Sequence, residues 1–134
     1  AFSGVAFLME RARHNVVAII DDDPAVLDSL QFLLIAAGYE VLAFGSAEAF
    51  LRADPPHVAC LVADQQMPDM TGLELIERRQ DGVQATPALL VSSALTRTVS
   101  ERAAALGAST LAKPLDEDDL LRFVAEHAAP APST

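Results

Sequence analysis

The sequence is poor in cysteine, in lysine and in long apolar stretches, and these shortages limit what the protein can be. Its single cysteine, Cys60, excludes an internal disulfide and fits a reducing compartment, so we expect a cytoplasmic protein. No apolar stretch approaches the roughly 20 residues that a membrane span needs. Acidic residues outnumber basic ones by 19 to 9, and the net charge of −10 argues against direct binding of nucleic acid by this domain.

Only one of the nine basic residues is a lysine, and its position is informative. Lys113 ends a short apolar run and stands directly before Pro114, whereas every other basic residue is an arginine. Lysine carries a compact ammonium group and arginine a planar fork, so the choice indicates that a compact charge is needed there. Two other apolar runs end in acids, the first in the triplet 21–23 and the third in Asp64. These charged ends indicate a phosphate and metal site at one edge of a sheet.

Apolar runs alternate with helical patterns five times along the chain. The first run, VVAII, would be apolar on both faces of a strand, which is typical of a parallel sheet covered by helices. The helical pattern after it has proline at its start and glycine at its end, which are common boundary signals. Five such units predict an α/β fold with helices on both faces of a parallel sheet. We predict strands at 16–20, 40–44, 57–63, 88–91 and 109–112, and helices at 24–37, 47–53, 73–80, 99–106 and 116–127.

Functional side chains of such sheets collect at the carboxyl ends of the strands. If Asp22 and Asp64 lie at neighbouring strand ends, their carboxylates repel each other unless a cation neutralises them. Mg²⁺ suits this task because it takes oxygen ligands and bridges carboxylates to a phosphate. Asp64 is the best candidate nucleophile, since it stands alone at its strand end, and its attack on phosphorus would form an aspartyl phosphate.

Four motifs carry a resemblance to a known family. They are IIDDDP at the end of the first strand, DQQMPDMTG beginning at Asp64, a strand that ends in Ser92, and KP at Lys113. Together they resemble the CheY-like receiver domain of bacterial two-component response regulators. The resemblance implies a flavodoxin-like fold, a doubly wound (βα)5 sheet with strand order 2-1-3-4-5. The segments AFGSAEAFL and MPDMTGLEL are most similar to receivers of nitrogen-fixation and LuxR-type transcriptional regulators.

The resemblance divides the chain into three parts. The receiver domain covers 16–127, and 128–134 has the composition of a linker or tail. Residues 1–15 are expected to be an N-terminal extension, either native or left from cloning before a natural start at Met9. Its apolar segment 1–8 lacks the basic lead and the cleavage pattern of a signal peptide.

The resemblance also implies which residues hold a metal ion. Asp64 would be both the phosphoacceptor and a metal ligand. Asp22 would bind Mg²⁺ directly, with Asp21 helping to hold the ion and its waters, and Mn²⁺ is an alternative ion. The backbone carbonyl of Gln66 would supply a further oxygen ligand, which suits these cations.

Other matching residues would contact the phosphoryl group or control its lifetime. Lys113 would pair with the phosphoryl oxygens, and its peptide bond to Pro114 is expected to be cis. Ser92 would supply the hydroxyl that switches on phosphorylation. The side chains of Gln66 and Ala94 fall where members of the family tune the access of water.

Two features depart from the family pattern. Thr110 stands three residues before the lysine, where the family usually has an aromatic residue that changes rotamer on phosphorylation. The stretch 107–113 is one residue shorter than usual. Both departures fall on the fifth strand, so they concern how the signal leaves the domain, and the phosphorylation chemistry survives them.

The function implied is that of a signalling receiver. It would take a phosphoryl group from a sensor histidine kinase or a histidine phosphotransfer protein onto Asp64, with Mg²⁺, and change conformation to control an output. It would not be an enzyme beyond catalysing its own phosphorylation and dephosphorylation. A C-terminal output domain outside this chain and a phosphorylation-dependent homodimer are further expectations.

Other functions remain to be weighed against this one. An interaction module with the same fold but no phosphorylation would explain Thr110, and it would bind its partner regardless of Mg²⁺ or phosphodonor. A phosphatase of the haloacid-dehalogenase type fits less well, because its nucleophile follows the first strand and Asp64 follows the third. A flavin-binding flavodoxin would need backbone amides for its phosphate where this chain has acids.

Overall fold

Five parallel strands form one sheet in the computed structural model, which describes residues 14–80 and 85–131. The strands are β1 (Val16–Ile20), β2 (Glu40–Phe44), β3 (Cys60–Asp64), β4 (Ala88–Ser92) and β5 (Ser109–Ala112). Their order across the sheet is β2-β1-β3-β4-β5, with β2 and β5 at the edges. The predicted doubly wound α/β fold and its strand order are therefore confirmed.

Within the same residues, five helices connect and follow the strands. They are α1 (Pro24–Ala36), α2 (Ala47–Ala53), α3 (Gly72–Gln80), α4 (Arg97–Ala105) and α5 (Glu117–His127). Helix α1 begins at Pro24, and the Asp23 side chain caps it by accepting a backbone N–H of the first turn. The helix ends before Gly38, whose φ of 99° disfavours residues with a side chain.

The sheet separates two hydrophobic clusters, which explains why its central strands are apolar on both faces. Along β1, Ile20 belongs to one cluster and Ile19 to the other. The first cluster includes Phe50 of α2 and residues of α3 and α4, and the second includes Leu34 of α1 and residues of α5. Every residue of β3 and β4 is buried. The strand ends are therefore supported by a packed core on both sides.

Four elements begin elsewhere than predicted, two of them, at 72 and 117, by a single residue and the other two by more. Strand β3 starts at Cys60 instead of residue 57, because β1 begins only at Val16, whose carbonyl accepts the N–H of Ala59. The residues before Ala59 therefore lie beyond the first residue of β1, where β1 offers no partner for a strand. Helix α4 starts at Arg97, two residues early, because the Thr96 side chain provides its N-cap.

The chain after α5 packs against the domain instead of leaving it at once. Ala128 is buried, and the N–H of Ala129 donates a hydrogen bond of 2.9 Å to the carbonyl of His14. The N–H of Ala131 donates one of 2.8 Å to the carbonyl of Gly38. These contacts place the chain beside the start of β1 and the end of α1.

The predicted division into three parts stays a prediction. Of the extension predicted at 1–15, residues 1–13 lie outside the described part of the chain, as do 132–134 of the predicted linker or tail. Within residues 14–80 and 85–131, no helix combines the length and the apolar character needed to cross a membrane.

Candidate functional site

The carboxyl ends of β1, β3 and β5 bring two acids and the single lysine to one edge of the sheet. The register between β1 and β3 pairs Ile20 with Ala63, and Asp21 and Asp64 are the residues that follow them. Lys113 follows β5 directly, and its backbone N–H donates a hydrogen bond of 2.9 Å to the carbonyl of Ser92 at the end of β4. Parallel strands thus gather these side chains at one edge although they are far apart in the sequence.

Three carboxylates at this edge form a cluster suited to a metal ion. One oxygen each from Asp21, Asp22 and Asp64 lies within 4.8 Å of the others. Asp21 and Asp64 are only 4% and 5% exposed, whereas Asp22 is exposed. Burial raises the pKa of Asp21, and the charge of Asp64 adds to this, although the Asp23 backbone N–H and the Lys113 ammonium act in the opposite direction. A cation bound between the acids would relieve this repulsion.

The Lys113 ammonium supplies the positive charge next to these acids. Its Nζ lies 3.1 Å from Asp64 Oδ1 and 3.7 Å from Asp21 Oδ2. Burial lowers the pKa of Lys113, but the ion pairs with the Asp64 and Asp21 carboxylates outweigh burial, so the pKa is raised overall. The side chain therefore stays protonated at neutral pH. The peptide bond between Lys113 and Pro114 is cis.

Asp64 Oδ1 has no hydrogen-bond partner among the described residues. The oxygen is buried, and the Lys113 ammonium lies at ion-pair distance from it. A buried carboxylate oxygen is rarely left in this way. The free oxygen and the neighbouring carboxylates fit Mg²⁺, a hard cation that takes oxygen ligands.

Ser92 is linked to the loop that follows Asp64. Its hydroxyl is fully buried and accepts hydrogen bonds from Gln66 Nε2 at 2.8 Å and from the Ala94 N–H at 3.0 Å. The Gln66 side-chain carbonyl also accepts a longer hydrogen bond, of 3.4 Å, from the Ser93 N–H. The structure thus joins three of the predicted site residues, Ser92, Gln66 and Ala94, in one hydrogen-bonded group.

The loop between β3 and α3 is fixed by residues that the sequence analysis did not single out. A Cβ atom on Gly72 would lie 2.5 Å from the Asp64 carbonyl oxygen, so only glycine fits there. The Gln65 side chain accepts a backbone N–H of α3 at 2.9 Å, and the Asp69 carboxylate accepts the Glu48 N–H of α2 at 2.8 Å. Both Asp69 and Gly72 belong to the motif DQQMPDMTG, and this motif was the sequence signal that could have identified them.

Thr110 lines a different cavity from the acidic cluster. It is paired with Leu90 on β4 and, together with Phe123 and Arg122 of α5, lines a small cavity of about 150 Å³. The shortened stretch at 107–113 leaves Lys113 at the strand end, where it contacts the acids. The two departures from the family pattern therefore do not disturb the cluster.

The chain belongs to the family of response regulator receiver domains, whose family model matches residues 17–125. The resemblance predicted from the motifs is thereby confirmed. Members of this family bind Mg²⁺ at an acidic pocket, and the structure has a cluster of three aspartates that could hold a metal ion.

Sequence comparison with known proteins supports the same family. The chain is 37% identical over 110 residues to the transcriptional regulatory protein FixJ of Bradyrhizobium diazoefficiens, a match that covers 81% of this chain and 54% of FixJ. It is 35% identical over 112 residues to the response regulator protein TmoT of Ectopseudomonas mendocina, covering 81% and 50%. This chain thus spans about half the length of these curated relatives.

A solved structure shows the same fold. The response regulator receiver domain protein (CheY-like) from Methanospirillum hungatei JF-1 superposes with a TM-score of 0.78 at 29% identity. The superposition covers 84% of this chain and 91% of that one.

Proposed function

We propose that this chain accepts a phosphoryl group on Asp64, in a Mg²⁺-dependent reaction, from the phosphohistidine of a sensor kinase or phosphotransfer protein. The observation that carries the proposal is the buried Asp64 carboxylate. Within the described residues its Oδ1 receives no hydrogen bond, and the Lys113 ammonium lies 3.1 Å away. A carboxylate with a free oxygen and a cation beside it can form an aspartyl phosphate.

Asp64 suits the acceptor role better than the other two acids. Asp21 Oδ1 already accepts a hydrogen bond of 2.9 Å from the Asp23 N–H, and Asp22 is exposed. Asp21 and Asp22 are better placed to hold Mg²⁺ or Mn²⁺, together with the backbone carbonyl of Gln66. When bound, the ion supplies positive charge that neutralises the acids and the phosphoryl oxygens.

The transfer is a substitution at phosphorus. A carboxylate oxygen of Asp64 forms the new P–O bond while the P–N bond to the donor imidazole breaks, and the imidazole nitrogen keeps that electron pair. Lys113 pairs with the phosphoryl oxygens, and the Ser92 hydroxyl donates a hydrogen bond to one of them after transfer. Gln66 and Ala94 border this group and tune the access of the water that later hydrolyses it.

An apolar cavity next to Asp64 offers a protein donor a place to approach. It has a volume of about 360 Å³, and Val26 and Leu30 of α1 line it together with Leu115. Lys113 and Asp64 form its polar part. An apolar surface around a charged centre suits a protein partner that presents a phosphohistidine.

The proposal extends to the signal that follows phosphorylation. The new charge on Asp64 would shift the domain between two conformations and control an output domain outside this chain, with homodimerisation as one route. A cytoplasmic location belongs to the same proposal. It is supported by Cys60, a buried cysteine that forms no disulfide.

Intact mass after incubation with acetyl phosphate and Mg²⁺ tests the assignment. We expect one phosphoryl adduct, lost with EDTA and in Asp64→Asn, and kept in Asp118→Asn, which changes an exposed aspartate of α5 in the same way. An adduct on Asp64→Asn would contradict the assignment of the acceptor.

Thr110 favours a second candidate, an interaction module that works without phosphorylation. Its position lacks the aromatic side chain that the family uses for signal transmission, and it lines a separate cavity. No adduct under any condition, from a folded protein that binds Mg²⁺, would favour this candidate.

A further inference from the structure

Two donors fix the position of the Ser92 hydroxyl. Gln66 Nε2 donates to Ser92 Oγ at 2.8 Å and the Ala94 N–H donates to it at 3.0 Å. A serine hydroxyl has two acceptor lone pairs and one donor proton, so both lone pairs are occupied. Because Ser92 is fully buried, water cannot replace either donor unless the surrounding loops move.

The Gln66 side chain reaches Ser92 from an anchored loop. On one side of it, the Gln65 side chain accepts a backbone N–H of α3 at 2.9 Å, and on the other side Met67 is buried. The Gln66 amide also contacts the Ser93 N–H, so it holds the start of the loop after β4 at two points. The amide therefore bridges the ends of β3 and β4.

In this arrangement the Ser92 hydroxyl forms no hydrogen bond with Asp64. Asp64 Oδ1 receives no hydrogen bond from Ser92 or from any other described residue. Rotation of the serine side chain to another staggered position would move Oγ away from both of its present donors. A hydroxyl that reaches a phosphoryl group on Asp64 by such a rotation has to leave the Gln66 amide.

We propose that Gln66 is a positioning residue that holds the Ser92 hydroxyl away from Asp64, so that the Gln66 amide and the phosphoryl group compete for it. This inference rests on the proposed function. It adds that the Gln66 side chain disfavours the phosphorylated form. Removing one neutral hydrogen bond changes an equilibrium by about two- to tenfold.

A double-mutant cycle with beryllofluoride, a phosphoryl analogue, measures this competition without hydrolysis. Gln66→Met keeps the length of the side chain and removes the amide, and Ser92→Ala removes the hydroxyl. Affinity for beryllofluoride with Mg²⁺ is followed by ¹⁹F NMR in the wild type, both single variants and the double variant. We expect Gln66→Met to bind about two- to tenfold tighter than the wild type, and to change nothing when Ser92 is already alanine.

Three results would overturn the competition while leaving the proposed function in place. They are equal affinity of Gln66→Met and the wild type, weaker binding by Gln66→Met, and a tighter binding that persists in the Ser92→Ala background. Gln66→Ala serves as the second variant if Gln66→Met does not fold. Failure of every form, wild type included, to bind beryllofluoride with Mg²⁺ would instead overturn the proposed function, and the competition with it.

Discussion

At the scale of single residues, the backbone behind Asp64 leaves no space for a side chain on Gly72. An added Cβ would lie 2.5 Å from the Asp64 carbonyl oxygen and 2.7 Å from Leu90 Cδ1. We expect Gly72→Ala to lower the free energy of unfolding by about 1–3 kcal/mol, because the loop after β3 has to shift. Urea denaturation measures the loss. Gly45→Ala is the control, since a Cβ there meets nothing within 4 Å, and an equal loss in both variants would contradict the argument.

The acidic cluster makes the stability of the metal-free protein depend on pH. Burial and the charge of Asp64 raise the pKa of Asp21 above its ordinary value of 3.8. The contribution of such an acid to stability is complete below the unfolded pKa and is lost as the pH rises through the folded pKa. We therefore expect Asp21→Asn to raise the free energy of unfolding at pH 7 by about 1 kcal/mol, and this gain to shrink as the pH falls toward 3.8. Denaturation in EDTA across this pH range checks both statements.

Mg²⁺ provides the control for the Asp21 variant. An ion that binds the folded protein stabilises it, so Mg²⁺ should stabilise the wild type more than Asp21→Asn, which lacks one of the proposed ligands. The advantage of the variant should therefore decrease when Mg²⁺ is added. An advantage that is independent of both pH and Mg²⁺ would show that charge repulsion is not its cause.

At the scale of elements, Arg79 ties helix α3 to the chain that leaves α2. Its guanidinium donates to Asp54 Oδ1 and to the Pro55 carbonyl, both at 2.8 Å. Its Nε donates to Thr86 Oγ1 at 3.2 Å, and the group lies over the ring of Phe50, 5.3 Å from its centre. One side chain thus connects three segments on the same side of the sheet.

We expect Arg79→Ala to lower the free energy of unfolding by about 2 kcal/mol. The hydrogen bonds to the partly buried Pro55 carbonyl and to Thr86 account for most of this loss, because Asp54 is exposed and its ion pair contributes little. Chemical denaturation is the measurement. The neighbouring Arg78 is exposed, so Arg78→Ala should stay within about 0.5 kcal/mol of the wild type.

The elements themselves could largely be predicted from the sequence, and the contacts between loops could not. Apolar runs and capping residues identify strands and helices because these signals are local, and Asp64 and Lys113 follow from their places at strand ends. The start of β3 was predicted wrongly because it depends on where the neighbouring strand begins. The bond from Gln66 to Ser92 joins residues 26 positions apart, and it depends on rotamers and loop paths that no local pattern specifies.

At the scale of the whole molecule, the chain after α5 returns to the edge of the sheet opposite the acidic cluster. Ala129 and Ala131 form backbone hydrogen bonds there, and Ala128 is buried. We expect a chain that ends at His127 to lose about 1–2 kcal/mol of unfolding free energy relative to one that ends at Ala131. Thermal or urea denaturation compares the two chains.

The shortened chain should still be phosphorylated normally. The proposed acceptor, Asp64, lies at the carboxyl ends of the strands, whereas the removed segment contacts His14 and Gly38 at the other end. Mass spectrometry after incubation with acetyl phosphate checks this, and a chain that ends at His127, is folded and takes up no phosphoryl group would contradict the separation.

The single lysine makes the protein its own chemical reporter. Among the side chains of this sequence, an amine-acylating reagent has one target, Lys113. Only the neutral amine reacts with such a reagent. Burial lowers the pKa of Lys113, but the neighbouring acids raise it by more, so the side chain is mostly protonated. Acylation of Lys113 is therefore expected to be slow. Any event that draws the acids away from the ammonium would change the labelling rate at one peptide. The state of the site can then be read in a mixture of proteins, with no engineered dye or tag.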